Sequence, residues 1–182
     1  WAKIPFGVST IFFWRGLVGR FLAFLLGVAG ALIGSQAPGF TLQYMQNLQG
    51  QVDRLATVVE DFDARVAEKG YSRESALNEC RTATDLLDAL CDGYAESVDR
   101  LVVLRAHLEE LDAASPYVRP LLVARNYDKE IGVSVREQFE PAVPATVHGA
   151  VYAGGGFAVA WGLSSFLFGI LGAMFGGGRR YA

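Results

Sequence analysis

Two cysteines, two histidines and one close pair of aspartates are the side chains of this sequence whose types and spacing invite a chemical reading. Cys80 and Cys91 lack the two-residue spacing of a catalytic dithiol. On one continuous helix they would share a face yet lie about 16 Å apart by rise, beyond the reach of a disulfide. A bridge therefore requires a turn between them, which RTATD at 81–85 is able to supply. A staple between two helices and a pair of separate thiols both stay open. Thiol catalysis is disfavoured, because Glu79, Asp85, Asp88 and Asp92 crowd the pair where a reactive thiolate needs a basic setting.

His107 lies beside Glu109 and Glu110 in a leucine-rich stretch, and His148 opens an apolar one. Neither has an H-x-x-x-H or cysteine partner of metal-ligand spacing, so both are expected to be ordinary surface or interface histidines. Asp61 and Asp63 flank Phe62, and alternate positions on a helix point apart, which precludes a cooperating acid–base pair. No G-x-S-x-G, Walker loop or H-E-x-x-H occurs. No catalytic, cofactor-binding or metal-binding residue is expected, no small-molecule substrate is implied, and the chain reads as not an enzyme.

The elements that hold these residues are legible from charge placement. All 19 acidic residues fall between Asp53 and Glu140 together with 11 of the 16 basic ones, a net charge of −8. The ends carry only Lys3, Arg15, Arg20, Arg179 and Arg180, and residues 21–52 and 141–178 contain no charged side chain. A helix of about 20 apolar residues crosses a bilayer core. FLAFLLGVAGALIG at 21–34, extended toward Ile11 if Arg20 snorkels to the headgroups, and VYAGGGFAVAWGLSSFLFGILGAMF at 151–175 both suffice. Cytoplasmic flanks collect Lys and Arg, so Arg15, Arg20, Arg179 and Arg180 put both termini inside and the acidic middle outside. That net acidity, with no basic cluster, argues against nucleic acid.

Lys3, the apolar run and Ser35-Gln36-Ala37 imitate a cleavable signal peptide. Pro38 just beyond the cut makes a poor protease substrate, and the second span needs a partner to return the chain, so a retained anchor is expected. The fold class is an all-α membrane protein, with two transmembrane helices flanking an extramembrane helical hairpin of coiled-coil type. Its segments are an interfacial stretch at 1–19, a span at 20–37, a periplasmic helical domain at 38–143, a span at 144–176 and a cytoplasmic tail at 177–182. Residues 4–18 either lie in the interface or extend the first span. Trp14 and Tyr152 or Trp161 suit interfacial belts.

Within the middle, Phe40, Tyr44, Leu48, Val52, Leu55, Val59, Phe62 and Val66 step at helical spacing up to Gly70, a rod on the order of 45 Å. Its expected partner runs from Asp85 to Ala114 behind an N-cap at Thr84, with a stripe of Leu90, Tyr94, Val98, Leu101, Leu104, Leu108 and Leu111. Ser72 opens a short helix to Cys80, and Pro116 starts a third segment to Phe139, broken near Asn126. The pairs Asp61–Arg65, Glu96–Arg100 and Arg105–Glu109 read as solvated i,i+4 faces.

Glycines mark the packing surfaces. Gly30 and Gly34 form one GxxxG and Gly172 and Gly176 another, with Gly27, Gly154, Gly155, Gly156, Gly162 and Gly169 leaving further faces without bulk. In lipid, close backbone approach through small residues supplies much of the helix-packing energy. Such faces either dock the two spans on each other or remain for another subunit.

GSQAPGF at 34–40, VVEDFDARVAEKGYSRESAL at 58–77, SPYVRPLLV at 115–123 and above all FEPAVPATVHG at 139–149 resemble the small two-span proteobacterial membrane proteins of domain-of-unknown-function family 2937. The resemblance covers Arg15 to Trp161, with residues 78–91 an addition to the pattern. It implies a bacterial inner-membrane location, where the cysteines face an oxidising periplasm, and it carries over no catalytic residue.

The expectation is a non-enzymatic accessory or scaffold protein whose partners are membrane lipids and other membrane subunits, bound through the Gly30 and Gly34 face, Arg119, Pro120 and residues 140–144. The alternative is an assembly of copies of itself around a pore or lipid-filled ring. It is the weaker reading, since Ser164 and Ser165 are the only adjacent hydroxyls of the second span and no charged ring selects ions.

Overall fold

The computed structural model of the chain describes the backbone of residues 9–141 and 146–176 and the side chains of 17–141 and 146–174. Lys3, Arg179, Arg180, the side chains of Trp14 and Arg15, and residues 142–145 lie outside the described residues. In order, the helices are α1 (Ser9–Ser35), α2 (Ala37–Glu68), α3 (Arg73–Arg81), α4 (Asp85–Ala113), α5 (Arg119–Arg125), α6 (Lys129–Gln138) and α7 (Val147–Gly176). Two compact units result, one of residues 1–39 with 141–182 and one of residues 40–140.

The first unit pairs α1 with α7. α1 runs unbroken from Ser9, so residues 9–19 continue the apolar helix. It stops at Ser35, whose hydroxyl donates to the Leu32 carbonyl at 2.7 Å. The stop has a cause in Pro38, which sits in the first turn of α2, where its missing N–H is harmless, but would break the ladder of one continuous helix. α7 starts where the Thr146 hydroxyl accepts the Gly149 N–H at 3.1 Å, as an N-cap does. Both helices are long and apolar enough to cross a membrane, and their most apolar stretches are only 11% and 6% buried. A core helix of a soluble protein is mostly buried, whereas these present Phe21, Leu25, Ile33, Leu163, Phe166 and Met174 outward.

The second unit is an antiparallel hairpin of α2 and α4 closed by a third layer. Tyr44 meets His107 near one end, and Phe62 stacks on Tyr94 toward the other with ring centroids 3.9 Å apart. α2 ends in a Schellman turn in which Gly70, at φ 83°, donates to Ala67 and Tyr71 donates to Val66. That left-handed backbone is why glycine stands there. Ser72 and Ser75 cap the start of α3 reciprocally. The core joins Tyr44, Leu48, Val52 and Val59 of α2 to Leu101, Leu104, Leu108 and Leu111 of α4 and to Val123, Ile131 and Val135 of α5 and α6.

Two expectations are corrected here. The segment after Pro116 does more than return the chain, because Ile131 and Val135 lie fully inside the core and make it three-layered. Pro116 also does not start the helix: residues 116–118 form a turn, and α5 begins at Arg119 with Pro120 in its first turn. The apolar stripe of α4 is not buried along its whole length. Leu90 is 62% exposed, with Leu86 at 71% and Leu87 at 47%, and no residue of α4 before Tyr94 joins the core.

Candidate functional site

The residues the sequence marks for function fall into a glycine seam in the first unit and a polar cluster in the second. The seam is built from small side chains on both helices. On α1, Gly19, Ala23, Gly27, Gly30 and Gly34 recur every three or four residues and so lie on one face. A methyl group built on Gly30 would lie 2.5 Å from both the Gly156 carbonyl oxygen and the Ala160 Cβ. One on Gly34 would strike the Tyr152 carbonyl, and one on Gly156 the Gly30 carbonyl. Gly27 lies beneath Phe157 and Trp161, whose atoms would come within 2.8 and 3.0 Å of the added group. Backbone therefore meets backbone along the seam, the arrangement by which helices gain packing energy in lipid.

This places Gly27, Gly30, Gly34 and Gly156 between the two helices of one chain, and it corrects the expectation that Gly30 and Gly34 face another subunit. Ser164 is likewise drawn inward, buried with its hydroxyl donating to the Ala160 carbonyl at 2.5 Å. Gly154, Gly155, Gly162, Gly169 and Gly172 meet nothing within 4 Å. The surroundings of Gly176 lie outside the described residues. With exposed Ala158 and Ser165, these open positions form a second row, Gly155, Ala158, Gly162, Ser165, Gly169 and Gly172, stepping three and four residues in alternation. Glycine counting alone misses Ala23, Ala158 and Ser165. The three-and-four spacing of all small residues is the signal that finds them.

In the second unit the named chemical residues serve architecture. Burial pushes the Tyr44 hydroxyl up, so it stays protonated; it accepts the Asp128 N–H at 3.0 Å and contacts His107 Nε2 at 3.3 Å. His107 Nδ1 faces Glu110 at 3.8 Å, and its side chain is only 9% exposed. It lies at the contact between α2 and α4, the interface position of the two expected. Tyr127 stacks on Tyr44 because Gly132 leaves its ring the space. Arg100 turns from Glu96 to bridge Asp128 at 2.7 Å and Glu130 at 3.1 Å, tying α4 to α6. Arg119, expected at a partner contact, donates to the carbonyls of Leu111, Asp112 and Ala114 and closes the end of α4. Asp63 pairs with Arg73, which holds its carboxyl below the usual range.

Cys80 and Cys91 are joined in a disulfide that staples α3 to α4, with the Cα atoms 6.2 Å apart. His148 is half-buried, Arg20 and Glu140 are exposed. Among the described residues no three metal-ligating side chains converge.

Asp128 gives this cluster a pH dependence. Burial favours its neutral form, but the hydrogen bond from Arg100, the N–H groups of Ile131 and Glu130 and the Arg100 charge outweigh it and hold the carboxyl below its ordinary value. A carboxyl depressed on folding adds stability that is complete above the unfolded pKa and is lost as pH falls through the folded one. Stability of the second unit is expected to hold down to about pH 4 and to fall below it. Urea unfolding of the detergent-solubilised chain, followed by circular dichroism at pH 7, 4 and 3, should show a shallower acid decline for Asp128→Asn. An unchanged slope would contradict the assignment.

No curated protein and no solved structure matches this chain. A family model matches residues 18–177, from the beginning of the described side chains of α1 to just past the end of α7. An all-helical chain with two apolar helices around a helical middle is thereby assigned: it belongs to the family described as protein of unknown function DUF2937.

Proposed function

We propose that this protein is a non-enzymatic membrane scaffold that packs against other membrane-protein subunits and carries its helical second unit on the periplasmic side of a bacterial inner membrane. The observation that carries the reading is the second small-residue row of α7, open at Gly155, Gly162, Gly169 and Gly172 while the other row is occupied by α1. Bulk-free faces of this kind let a further helix approach its backbone closely. The topology rests on Arg15, Arg20, Arg179 and Arg180 bracketing both apolar helices on one side. The polar clusters of the second unit are consumed in joining its helices, which leaves binding rather than catalysis as its work.

The test is Gly162→Leu combined with Gly169→Leu, both at positions with open space around them. Purified in mild detergent, the variant is expected to lose the membrane proteins that travel with the parent chain while keeping its own fold. Unchanged co-purification defeats the reading. Self-assembly of the isolated chain into a defined ring, abolished by the same substitutions, would instead favour the homo-oligomer.

A further inference from the structure

The end of the second unit at which the chain enters and leaves carries an apolar face that the core does not use. Tyr44 of α2 meets His107 of α4, and the two helices run antiparallel. One turn before Tyr44 stands Phe40, which packs on Phe139, and one turn beyond His107 stands Leu111, so α4 ends level with the entrance and exit of the unit. The turn at 115–118 and the start of α5 close that end. There the Val118 N–H donates to the Ser115 carbonyl and the Leu121 N–H to the Val118 carbonyl, both at 2.9 Å, which gives the segment a helical course. Positions three and four apart share a face of such a segment. Val123 turns into the core with Leu122 packed against it, while Tyr117, Val118, Leu121 and Ala124 are exposed, Leu121 at 63%.

This face is preset, because Arg119 fastens the turn to the carbonyls of Leu111, Asp112 and Ala114. A surface held in this way loses little freedom on binding.

Charge sets the same face apart. Residues 113–127 contain no acidic side chain, the longest such run between Asp53 and Glu140, and their only bases are Arg119 and Arg125. An anionic lipid surface repels the acidic remainder of the unit and does not repel this part of it. A tyrosine suits the headgroup level, and an arginine lays its stem along apolar surface while its charge stays in water. Asp112, Glu137 and Glu140 flank the same end, which places the contact at the hydrated interface and not within hydrocarbon.

Size decides what covers the face. A stable protein–protein contact takes about 20 residues on each side, and this face offers a few. A bilayer held close by needs far less, because the contact is then intramolecular and a short tether raises its effective concentration. Only short tethers separate Phe40 from the end of α1 at Ser35 and Glu140 from the start of α7 at Val147.

We infer that the α4–α5 end of the second unit is seated in the headgroup interface of the bilayer, with Val118 and Leu121 as its apolar contacts and Tyr117 and Arg125 at headgroup level. This rests on α1 and α7 crossing that bilayer, and it adds a lipid contact that neither helix supplies.

The described cysteines are bonded to each other, so one added cysteine takes a maleimide dye without reductant. Ala124→Cys reports on the face, Val58→Cys on the exposed distal half of α2 and Leu163→Cys on the exposed middle of α7. Each full chain is placed in vesicles of mixed zwitterionic and anionic phospholipid carrying a nitroxide either near the headgroup or deep in the acyl chain. Headgroup nitroxide is expected to quench the dye at 124 at least twofold more than the dye at 58, and deep nitroxide to quench the dye at 163 most. Val118→Ser with Leu121→Ser should return the dye at 124 to the level of 58 without change in circular dichroism, since both positions are exposed. If 124 is quenched no more than 58 while 163 is quenched, the seating is wrong and the spans stand; if 163 escapes as well, the spans fail and the seating fails with them. Shielding of 124 from aqueous iodide without quenching by lipid would assign the face to a protein partner and overturn the inference, as would unchanged quenching in the serine variant.

Discussion

Replacing Gly30 by leucine should separate α1 from α7 and cost about 3 kcal/mol, at the upper end of overpacking penalties. The size follows from what the new side chain meets. Its Cβ would lie 2.5 Å from the Gly156 carbonyl oxygen and from Ala160 Cβ. Overpacking is tolerated when the opposing atoms end a flexible side chain, but here they are backbone and the first carbon of alanine. The helices must move apart, and every small-residue contact from Gly27 to Gly34 loosens with them. Titrating the detergent-solubilised protein with a denaturing detergent, followed by tryptophan fluorescence, measures the loss, since Trp161 stacks with Phe157 over Gly27. Gly162→Leu is the internal control, because nothing lies within 4 Å of that position and its effect should stay within about 0.5 kcal/mol. Equal effects at the two positions would refute the seam.

The second large effect is expected within one stripe of α4. Leu104 is 1% exposed and sits among α2, α5 and α6 residues of the core, so Leu104→Ala removes buried methyl groups and leaves a cavity. Such truncations cost about 2–5 kcal/mol. Leu90 belongs to the same run of apolar residues but is 62% exposed, and Leu90→Ala should change stability by less than about 0.5 kcal/mol. Urea unfolding of the two variants by circular dichroism, with the midpoint shift of the first several times that of the second, is the outcome that supports a core ending near Tyr94. Equal shifts would mean that the stripe is covered along its whole length.

That contrast shows where the residues themselves inform and where they fall silent. Helical period, Gly70 and Ser72 place the ends of α2 and α3 closely, because caps and turns are local and their chemistry is carried by one or two side chains. The missing charges of 21–52 and 141–178 announce the two apolar helices just as directly. What periodicity does not carry is which partner a face meets. Leu90 and Leu104 look alike in the chain; only the packing around each, 62% exposed against 1%, separates them. GxxxG identifies Gly30 and Gly34 as a packing face yet does not say whether the helix that fills it is α7 or a foreign one. Arg100 has Glu96 one turn away and still turns to Asp128 and Glu130, because the charge network with the α6 cap is richer than a single exposed pair. His107 reads equally as a surface or an interface residue, and what decides is Tyr44, which lies 63 positions earlier.

The rings of Phe40 and Phe139 pack edge to face with centroids 5.7 Å apart. This small clasp brings the entrance and exit of the 40–140 unit to one point. A module whose two chain ends lie side by side is an insertion in the architectural sense: it can be lengthened, shortened or exchanged for a brief turn without asking the flanking rods to relocate their ends. The disulfide-stapled joint between α3 and α4 lies at the opposite extremity of the hairpin, so the clasp and the staple close the module at its two ends.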